Sequence, residues 1–336
     1  MSPQFVDFDA DGDLDVVAGI FDGSPHVAFG DGNGWKQPQQ ILDKNGERIV
    51  MNAFWNFDAK KWDETKRCDP EDTAVQEGHL TSAWAADLDG DGDLDLLLGD
   101  HKGGQVMARM NDGTSREPAF ATRNVPVLAG GEPLIVPGTV TTLRLVDWNG
   151  DGTQDLLLGG MRGGVFLCVN TGTDAAPRFA AATVLIEADQ DPQQAPTRPN
   201  SGLYMDCGDI DADGDLDLIV GGYSEWRPAD PVLDAGQKKR AVELRKQLDA
   251  IGDEMRAFSE RLNQAVAGLD DESAAAKRKE FLATHAEELS ERNARRAALQ
   301  DELDPLVPGP KRKSFTWLYE NLARGAAGPS DAGLRR

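Results

Sequence analysis

The sequence predicts a mostly β fold of repeated small antiparallel sheets, interrupted towards its C-terminal end by a pair of helices. Three observations predict it. An acidic motif followed by an apolar run occurs four times, short strand-like segments recur between the copies, and residues 232–304 consist mainly of helix formers. With 336 residues, the chain is long enough to bury a substantial core and to hold more than one domain.

Four copies of the acidic motif set the period of the repeat. They read DFDADGDLDVVAG from Asp7, DLDGDGDLDLLLG from Asp87, DWNGDGTQDLLLG from Asp147 and DIDADGDLDLIVG from Asp209. Their first aspartates are separated by 80, 60 and 62 residues. A Gly-Gly turn, a strand and an Asn-X-Gly-Thr turn follow the second and third copies. About four short strands in each interval predict an all-β propeller with one copy of the motif in each blade.

The acidic loops have the composition of a site for a hard divalent cation. Neighbouring carboxylates repel one another unless a cation neutralises them or water screens them. Oxygen-bearing side chains at positions 1, 3, 5 and 9, with glycine at position 6, suit Ca²⁺ better than Mg²⁺, which keeps its waters, or Zn²⁺, which favours His and Cys. An EF-hand would need Glu at position 12 between two helices, where the second loop has Leu98 in a predicted strand. Recurrence argues against the alternative of a solvated acidic turn without metal.

The expected Ca²⁺ ligands are the side chains at positions 1, 3, 5, 7 and 9, although position 7 can also serve through its backbone carbonyl. They are Asp7, Asp9, Asp11, Asp13, Asp15, Asp87, Asp89, Asp91, Asp93, Asp95, Asp147, Asn149, Asp151, Thr153, Asp155, Asp209, Asp211, Asp213, Asp215 and Asp217. Because Asn149 and Thr153 replace aspartates, the third loop carries less charge and we expect it to bind Ca²⁺ more weakly. Position 2 is apolar or aromatic in every copy, which predicts inward packing.

These loops, each followed by an apolar strand and a glycine, resemble FG-GAP/VCBS repeats, which occur in integrin-type β-propellers and many bacterial surface proteins. The resemblance extends over residues 4–186 and 201–223 and includes SFTWLYENL from Ser314. It implies Ca²⁺ at the base of each blade and an extracellular or cell-surface location. Propellers of this family usually have about seven blades, and only four are recognisable here. They either close as a minimal ring, close with the help of residues 43–78, or form an incomplete part of a larger ring.

Residues 232–304 predict an antiparallel α-helical hairpin of coiled-coil type, inserted between two strands of the last blade. The apolar seam of its first helix comprises Leu244, Leu248, Ile251, Met255, Phe258 and Leu262. The weaker seam of its second helix comprises Phe281, Leu282, Ala286 and Leu289. Such an arm either contacts a partner protein or serves as a spacer or brace. The expected organisation is blades in residues 1–231, the hairpin in 232–304, a return strand in 305–323 and a disordered tail in 324–336.

A second insertion, residues 43–78, lengthens the first interval. It brings Phe54, Trp55, Phe57 and Trp62 close together in sequence. Two interpretations remain open: exposed rings that stack on sugars, or a small core that packs against a blade.

The composition bears on partners and location. The net charge of −23 argues against nucleic acid as a partner, because phosphate binding relies on basic patches. No apolar run of about 20 residues suggests a membrane span. Three cysteines allow at most one internal disulfide. The chain enters the first repeat almost immediately after Met1 without a signal-peptide pattern, which we interpret as an expression boundary, a processed terminus or an incomplete gene model.

The chain has few residues suited to catalysis. Among its four histidines, His101 follows the second copy of the motif and is the first candidate for a catalytic role, but no nucleophile-elbow, metalloprotease or phosphate-loop motif occurs. We therefore expect a non-enzymatic Ca²⁺-binding module for adhesion or for recognition of a protein or glycan. The alternative is a calcium-dependent polysaccharide lyase or hydrolase built on the same scaffold.

Overall fold

The computed structural model describes most of the chain. The described residues are 3–65, 78–188, 195–321 and 334–335. Within them the chain forms six antiparallel sheets and three helices, so the prediction of a mostly β fold is confirmed. The chain divides into two compact units, a β unit of residues 1–190, 196–225 and 312–336 and a helical unit of residues 191–195 and 226–311.

Four sheets of the β unit contain four strands each, arranged in chain order. The first sheet contains β1 (Gln4–Val6), β2 (Asp15–Gly19), β3 (Pro25–Ala28) and β4 (Gln39–Gln40). Two short hairpins lie between the larger sheets: β5 (Ala53–Asn56) with β6 (Lys61–Glu64), and, further along the chain, β11 (Leu128–Ala129) with β12 (Glu132–Pro133). The second sheet contains β7 (Leu80–Ala86), β8 (Asp95–Asp100), β9 (Val106–Arg109) and β10 (Val125–Pro126). The third sheet contains β13 (Val140–Val146), β14 (Asp155–Gly160), β15 (Val165–Cys168) and β16 (Thr183–Ile186). The fourth sheet contains β17 (Ser201–Gly208), β18 (Asp217–Trp226), β19 (Lys311–Asn321) and β20 (Leu334–Arg335).

Each acidic loop connects the first and second strands of its sheet, and the apolar run after it forms the second strand. Every residue of β8 and of β14 is buried, so both faces of these strands pack against protein. This burial explains why their sequences are unbroken apolar runs rather than an alternation of apolar and polar residues.

Consecutive sheets stack face to face by a repeated rule. We call the face that carries the first and third residues after the position-9 aspartate the front face, and the face that carries the second residue the back face. Val17 on the back face of the first sheet clusters with Leu96 and Leu98 on the front face of the second. The same relation joins the second sheet to the third, where Leu97 clusters with Leu156 and Leu158. It also joins the third sheet to the fourth, where Leu157 clusters with Leu218 and Val220. Alternate residues of one strand therefore contact two different neighbouring sheets.

The hairpin of β5 and β6 holds the aromatic residues of the first insertion. Trp55 pairs with Trp62 across the two strands, and the Trp62 ring centroid lies 4.7 Å from that of His79 and 5.6 Å from that of Phe21. Trp62 is nevertheless 42% exposed and Phe57 60% exposed. The insertion thus makes a small aromatic cluster against neighbouring turns while leaving ring surface accessible. Its residues 66–77 lie outside the described part.

The helical unit contains α1 (Ala235–Val266), α2 (Asp271–Thr284) and α3 (Ala286–Leu303), and α1 packs against both of the others. Asp234 and Gln237 form a capping box at the start of α1. Gly268 adopts a φ of +78°, and Asp270 caps α2 by accepting from the Ser273 N–H. All six residues of the predicted first seam are buried or half-buried.

The predicted second seam is wrong at two of its positions, because Leu282 and Ala286 are exposed. The helix is interrupted at His285, which shifts the phase of the apolar face between α2 and α3. Arg292 is 8% exposed on α3, where its guanidinium pairs with Glu288 at 2.6 Å and Glu254 at 3.3 Å. Ion pairs between buried Arg292 and two partly exposed glutamates replace part of the apolar seam that the sequence pattern predicted.

The fourth sheet is completed by strands on both sides of the helical unit. Asn321 at the end of β19 donates its backbone N–H to Asp217 at the start of β18, with an N···O distance of 2.9 Å. In the tail, which was expected to be disordered, Leu334 and Arg335 instead pair with the end of β19. Residues 324–333 and 336 lie outside the described part.

Candidate metal centres

The sharp turn of each acidic loop is held by the aspartate at position 1. One of its carboxylate oxygens accepts the N–H of the glycine at position 6, with N···O distances of 3.0–3.2 Å in the four copies. That glycine has a φ between +89° and +99° in every copy. Since a side chain is strained in this conformation, position 6 requires glycine. The pairs are Asp7 with Gly12, Asp87 with Gly92, Asp147 with Gly152 and Asp209 with Gly214.

The aspartate at position 9 is buried and joins its loop to the end of the third strand. One oxygen accepts the N–H at position 2 of the loop, and the other accepts an N–H just after, or at the end of, the third strand. The donors are Phe8 and Gly30 for Asp15, Leu88 and Asn111 for Asp95, Trp148 and Asn170 for Asp155, and Ile210 and Asn321 for Asp217. Position 9 therefore has a structural role besides any metal binding, which sequence reasoning missed.

Three of the four loops bring carboxylates close enough together to hold a metal ion. In each of them the aspartates at positions 1, 3 and 9 place one oxygen each within 4.8 Å of one another. The three groups are Asp7, Asp9 and Asp15; Asp87, Asp89 and Asp95; and Asp209, Asp211 and Asp217. Of the predicted ligands, the residues at positions 5 and 7 lie outside these groups. The position-5 side chains instead accept the backbone N–H of position 7.

The carboxylates at these centres are unfavourable in their charged form. Burial raises the pKa of Asp95 to about 6. Burial and the repulsion of neighbouring aspartates also raise the pKa of Asp9, Asp93 and Asp215. A bound cation would remove both causes, because it supplies charge and replaces the lost water.

Several buried carboxylate oxygens in the loops lack a hydrogen-bond donor among the described residues. They are one oxygen of Asp9, one of Asp93 and both of Asp215. Asp93 is 4% exposed and Asp215 8% exposed. Because an unpaired buried carboxylate oxygen costs free energy, these atoms fit a site that is completed by a cation or its water.

The third loop differs from the others as its sequence suggested. Asn149 donates its side-chain N–H to Asp151 at 3.0 Å, and the Thr153 hydroxyl donates to the same carboxylate at 2.6 Å. These donors lower the pKa of Asp151, led by the Thr153 hydroxyl. Side chains thus satisfy this carboxylate without a metal ion, and the loop does not form a group of three carboxylates within the described residues.

Two asparagines after the third strands organise the turns beside the loops. The Asn111 side-chain oxygen accepts the N–H groups of Gly113 and Ala119, at 3.0 and 2.7 Å. Asn170 does the same in the third sheet with Gly172 and Arg178. Sequence reasoning recognised only a turn there. The signal that could have found this role is the recurrence of Asn 16 and 15 residues after the position-9 aspartates of the second and third loops.

Other residues considered from sequence do not join the metal centres. His101 is half-buried, its ring centroid lies 6.2 Å from that of His79, and burial followed by the His79 charge lowers its pKa. Cys168 and Cys207 are free thiols, and burial raises their pKa to about 12 and about 11. Cys68 lies outside the described residues. Among the helices described, none has the length and apolarity needed to cross a membrane.

Comparison with protein families matches the FG-GAP-like repeat twice, at residues 87–158 and 147–220. The chain carries FG-GAP repeats. The resemblance stated from sequence is therefore confirmed over residues 87–220. Each match begins at the first aspartate of an acidic loop and ends in the apolar strand of the next copy. The first acidic loop, residues 7–15, lies outside both matches but has the same hydrogen bonds at positions 1 and 9. No curated protein matches the chain significantly.

Proposed function

We propose that the protein is a non-enzymatic, calcium-stabilised β-propeller module of FG-GAP repeats that recognises a protein or glycan outside the cell or at its surface. The observation that carries the calcium assignment is the recurrence of three carboxylates within 4.8 Å in three loops. Oxygen ligands of this kind suit Ca²⁺, and the buried unpaired oxygens of Asp93 and Asp215 support the same assignment.

The residues that would hold the ion are those at positions 1, 3 and 9, assisted by positions 5 and 7. Bound Ca²⁺ would supply positive charge where several aspartates crowd one turn. The chain's own contribution is to fix the turn, through the position-6 glycine, and to fix the loop on its sheet, through the position-9 aspartate. Calcium in this proposal is structural, and it stabilises the folded state by mass action.

The propeller arrangement is supported by the stacking rule. Each four-stranded sheet lies back to front against the next along the chain, as blades do around an axis. The acidic loops recur at the same place in each sheet, between its first and second strands. The metal centres would therefore stabilise equivalent turns of consecutive blades.

A recognition role is supported by what the scaffold displays. FG-GAP repeats are typical of extracellular proteins, and the accessible rings of Phe57 and Trp62 suit contact with a sugar or a protein side chain. The helical unit offers a further surface for a partner protein. The net charge of −23 disfavours nucleic acid.

Calorimetric titration with calcium tests the metal assignment. We expect three tighter sites and one weaker site per chain, because the third loop has Asn149 in place of an aspartate. The melting temperature is expected to rise with calcium and fall with EGTA. A chain that releases no heat on calcium addition and melts identically in both buffers would falsify the assignment.

Replacing Asn149 by aspartate is expected to strengthen the weakest site about tenfold, or roughly 1.4 kcal/mol, because it restores a carboxylate at position 3. The same titration measures this change. Gln154→Asp is the matched control, since it adds the same charge at exposed position 8 of the same loop. Equal strengthening by both variants would mean that net charge, rather than ligation at position 3, determines the affinity.

Calcium is expected to raise the melting temperature more at about pH 7.5 than at about pH 5. The folded-state pKa of Asp95, about 6, lies above its ordinary value of 3.8. Without calcium, the folded protein therefore takes up a proton as the pH falls through 6, which favours folding and competes with the ion. Melting scans at both pH values measure the difference, and Asp95→Asn should reduce it. An unchanged pH dependence in that variant contradicts the role given to Asp95.

Screening the calcium-loaded protein on a glycan array, followed by analysis of retained glycans for cleavage, tests the recognition role. Retention without cleavage supports a binding module. Cleavage of acidic polysaccharides that disappears in His101→Ala would instead establish an enzyme.

A further inference from the structure

Among the described residues, two outer sheet faces of the β unit lack the neighbouring sheet that every inner face has. The back faces of the first, second and third sheets each pack on the front face of the next sheet. The front face of the first sheet and the back face of the fourth remain. No hydrophobic cluster among the described residues combines these two sheets.

Equivalent positions show the difference directly. Val16 and Ala18, on the front face of the first sheet, are only partly buried, whereas Leu96 and Leu98 are fully buried at the same positions of the second sheet. On the back face of the fourth sheet, Ile219 is partly exposed where the corresponding residues of the three preceding sheets are buried.

Both outer faces extend into larger exposed apolar side chains. On the first sheet, Phe5 is 59% exposed and its ring centroid lies 5.8 Å from that of Trp35, which is 56% exposed. On the fourth sheet, Leu318 is 37% exposed in β19, the strand that pairs with β18. In a stacked-repeat protein, a polar outer face on the terminal repeats keeps the molecule soluble and separate. These two faces instead carry exposed apolar side chains, beside the charged Asp206 on the fourth sheet.

A recurring glycine points to what covers the back face of the fourth sheet. The glycine four residues after position 9 lets the next sheet approach closely. A Cβ at Gly19 would lie 2.6 Å from the Ser82 backbone, at Gly99 2.7 Å from Val140, and at Gly159 2.5 Å from the Leu203 carbonyl oxygen. Gly221 occupies the same position, yet among the described residues the only atom within 4 Å of a Cβ there would be the Tyr204 carbonyl oxygen of its own sheet, at 3.7 Å. The fourth sheet therefore has, at Gly221, the same glycine that allows a following sheet to approach closely in the other three.

We propose that the back face of the fourth sheet docks on the front face of the first sheet of a second copy of this chain. The two faces are the complementary halves of a contact that the chain already makes three times within itself. Asp206, which pairs with Ile219 across the two strands, is a charged residue of the same back face, and Arg144 of the third sheet lies 3.6 Å from it. Such a contact is head to tail, and it generates a closed ring of copies or an open chain.

The test is the mass of the calcium-loaded full chain in solution, measured by light scattering over a concentration series. The wild type is expected to reach at least twice the chain mass of 36.3 kDa. Phe5→Glu on the first sheet and Leu318→Glu on the fourth should each reduce this association, and circular dichroism checks that both exposed substitutions leave the fold intact. Leu282→Glu, at an exposed apolar residue of α2, is the control and should associate like the wild type.

Mixing the two variants separates this contact from a symmetric one. Phe5→Glu keeps an intact fourth sheet and Leu318→Glu keeps an intact first sheet, so the mixture should form a heterodimer through one contact although each variant alone is monomeric. A wild type that stays monomeric throughout the series overturns the proposal, as does a mixture that shows no heterodimer or association that neither variant reduces. Calcium titration of the same samples is independent of these outcomes, so failure here leaves the metal assignment standing.

Discussion

Asp95→Ala is expected to destabilise the protein both with and without calcium, by several kcal/mol in its presence and by about 2 kcal/mol in EGTA. With calcium, the variant loses a ligand of the second loop. In either buffer it leaves two N–H groups without their acceptor, the half-buried one of Leu88 and the buried one of Asn111, and a fully buried unpaired group costs about 1–3 kcal/mol. The expected loss in EGTA is smaller than the summed cost of the two unpaired groups. Burial makes the Asp95 charge unfavourable at neutral pH, so removing the carboxylate also removes that cost.

Denaturant unfolding in the two buffers measures both values. Asp91→Ala is the matched control, because Asp91 lies at exposed position 5 of the same loop and accepts only the Asp93 N–H. It should lower stability in calcium and change it little in EGTA. If Asp95→Ala also unfolds like the wild type in EGTA, the position-9 carboxylate does not join the loop to the sheet as described.

Gly159→Ala is expected to cost about 1–3 kcal/mol or more, whereas Gly221→Ala should cost almost nothing in the dissociated chain. The added methyl group at residue 159 would lie 2.5 Å from the Leu203 carbonyl oxygen and 2.8 Å from a Thr142 methyl, which forces the third and fourth sheets apart. At residue 221 the nearest atom is 3.7 Å away, an ordinary van der Waals distance.

Urea unfolding at a concentration where the chain is monomeric measures both variants. The pair is informative because the two glycines occupy equivalent positions and differ only in the presence of a following sheet. Equal costs would mean that the glycine serves its own strand, and the close approach between sheets would not explain its recurrence.

Local repetition made the acidic loops predictable, because their ligand types and glycines lie within nine residues. The structural role of position 9 was not predictable in this way. Its second donor lies beyond the third strand, for example at Asn111 for Asp95, so the contact depends on how the strands pair. The recurrence of the turn was visible, but its hydrogen bonds were not.

The helical unit shows a different limit of sequence patterns. The prediction of the first seam agrees with the burial of its residues because α1 is uninterrupted over 32 residues and its apolar period is regular. The prediction of the second seam was wrong at two positions because the interruption at His285 changes the phase of the apolar face between α2 and α3. Burial of Arg292 between Glu254 and Glu288 also depends on partners from two helices, which a count of apolar residues does not register.

The bond between Asn321 and Asp217 has a consequence for the order of folding. It spans 104 positions, whereas the corresponding bonds of the second and third sheets span 16 and 15. During synthesis the earlier sheets obtain their third strands soon after their second, but the fourth must wait until the whole helical unit has emerged. Until then, β18 with its apolar residues Leu218 and Val220 lacks its neighbouring strand β19. We therefore expect chaperone binding and aggregation to compete with folding while the fourth sheet is incomplete.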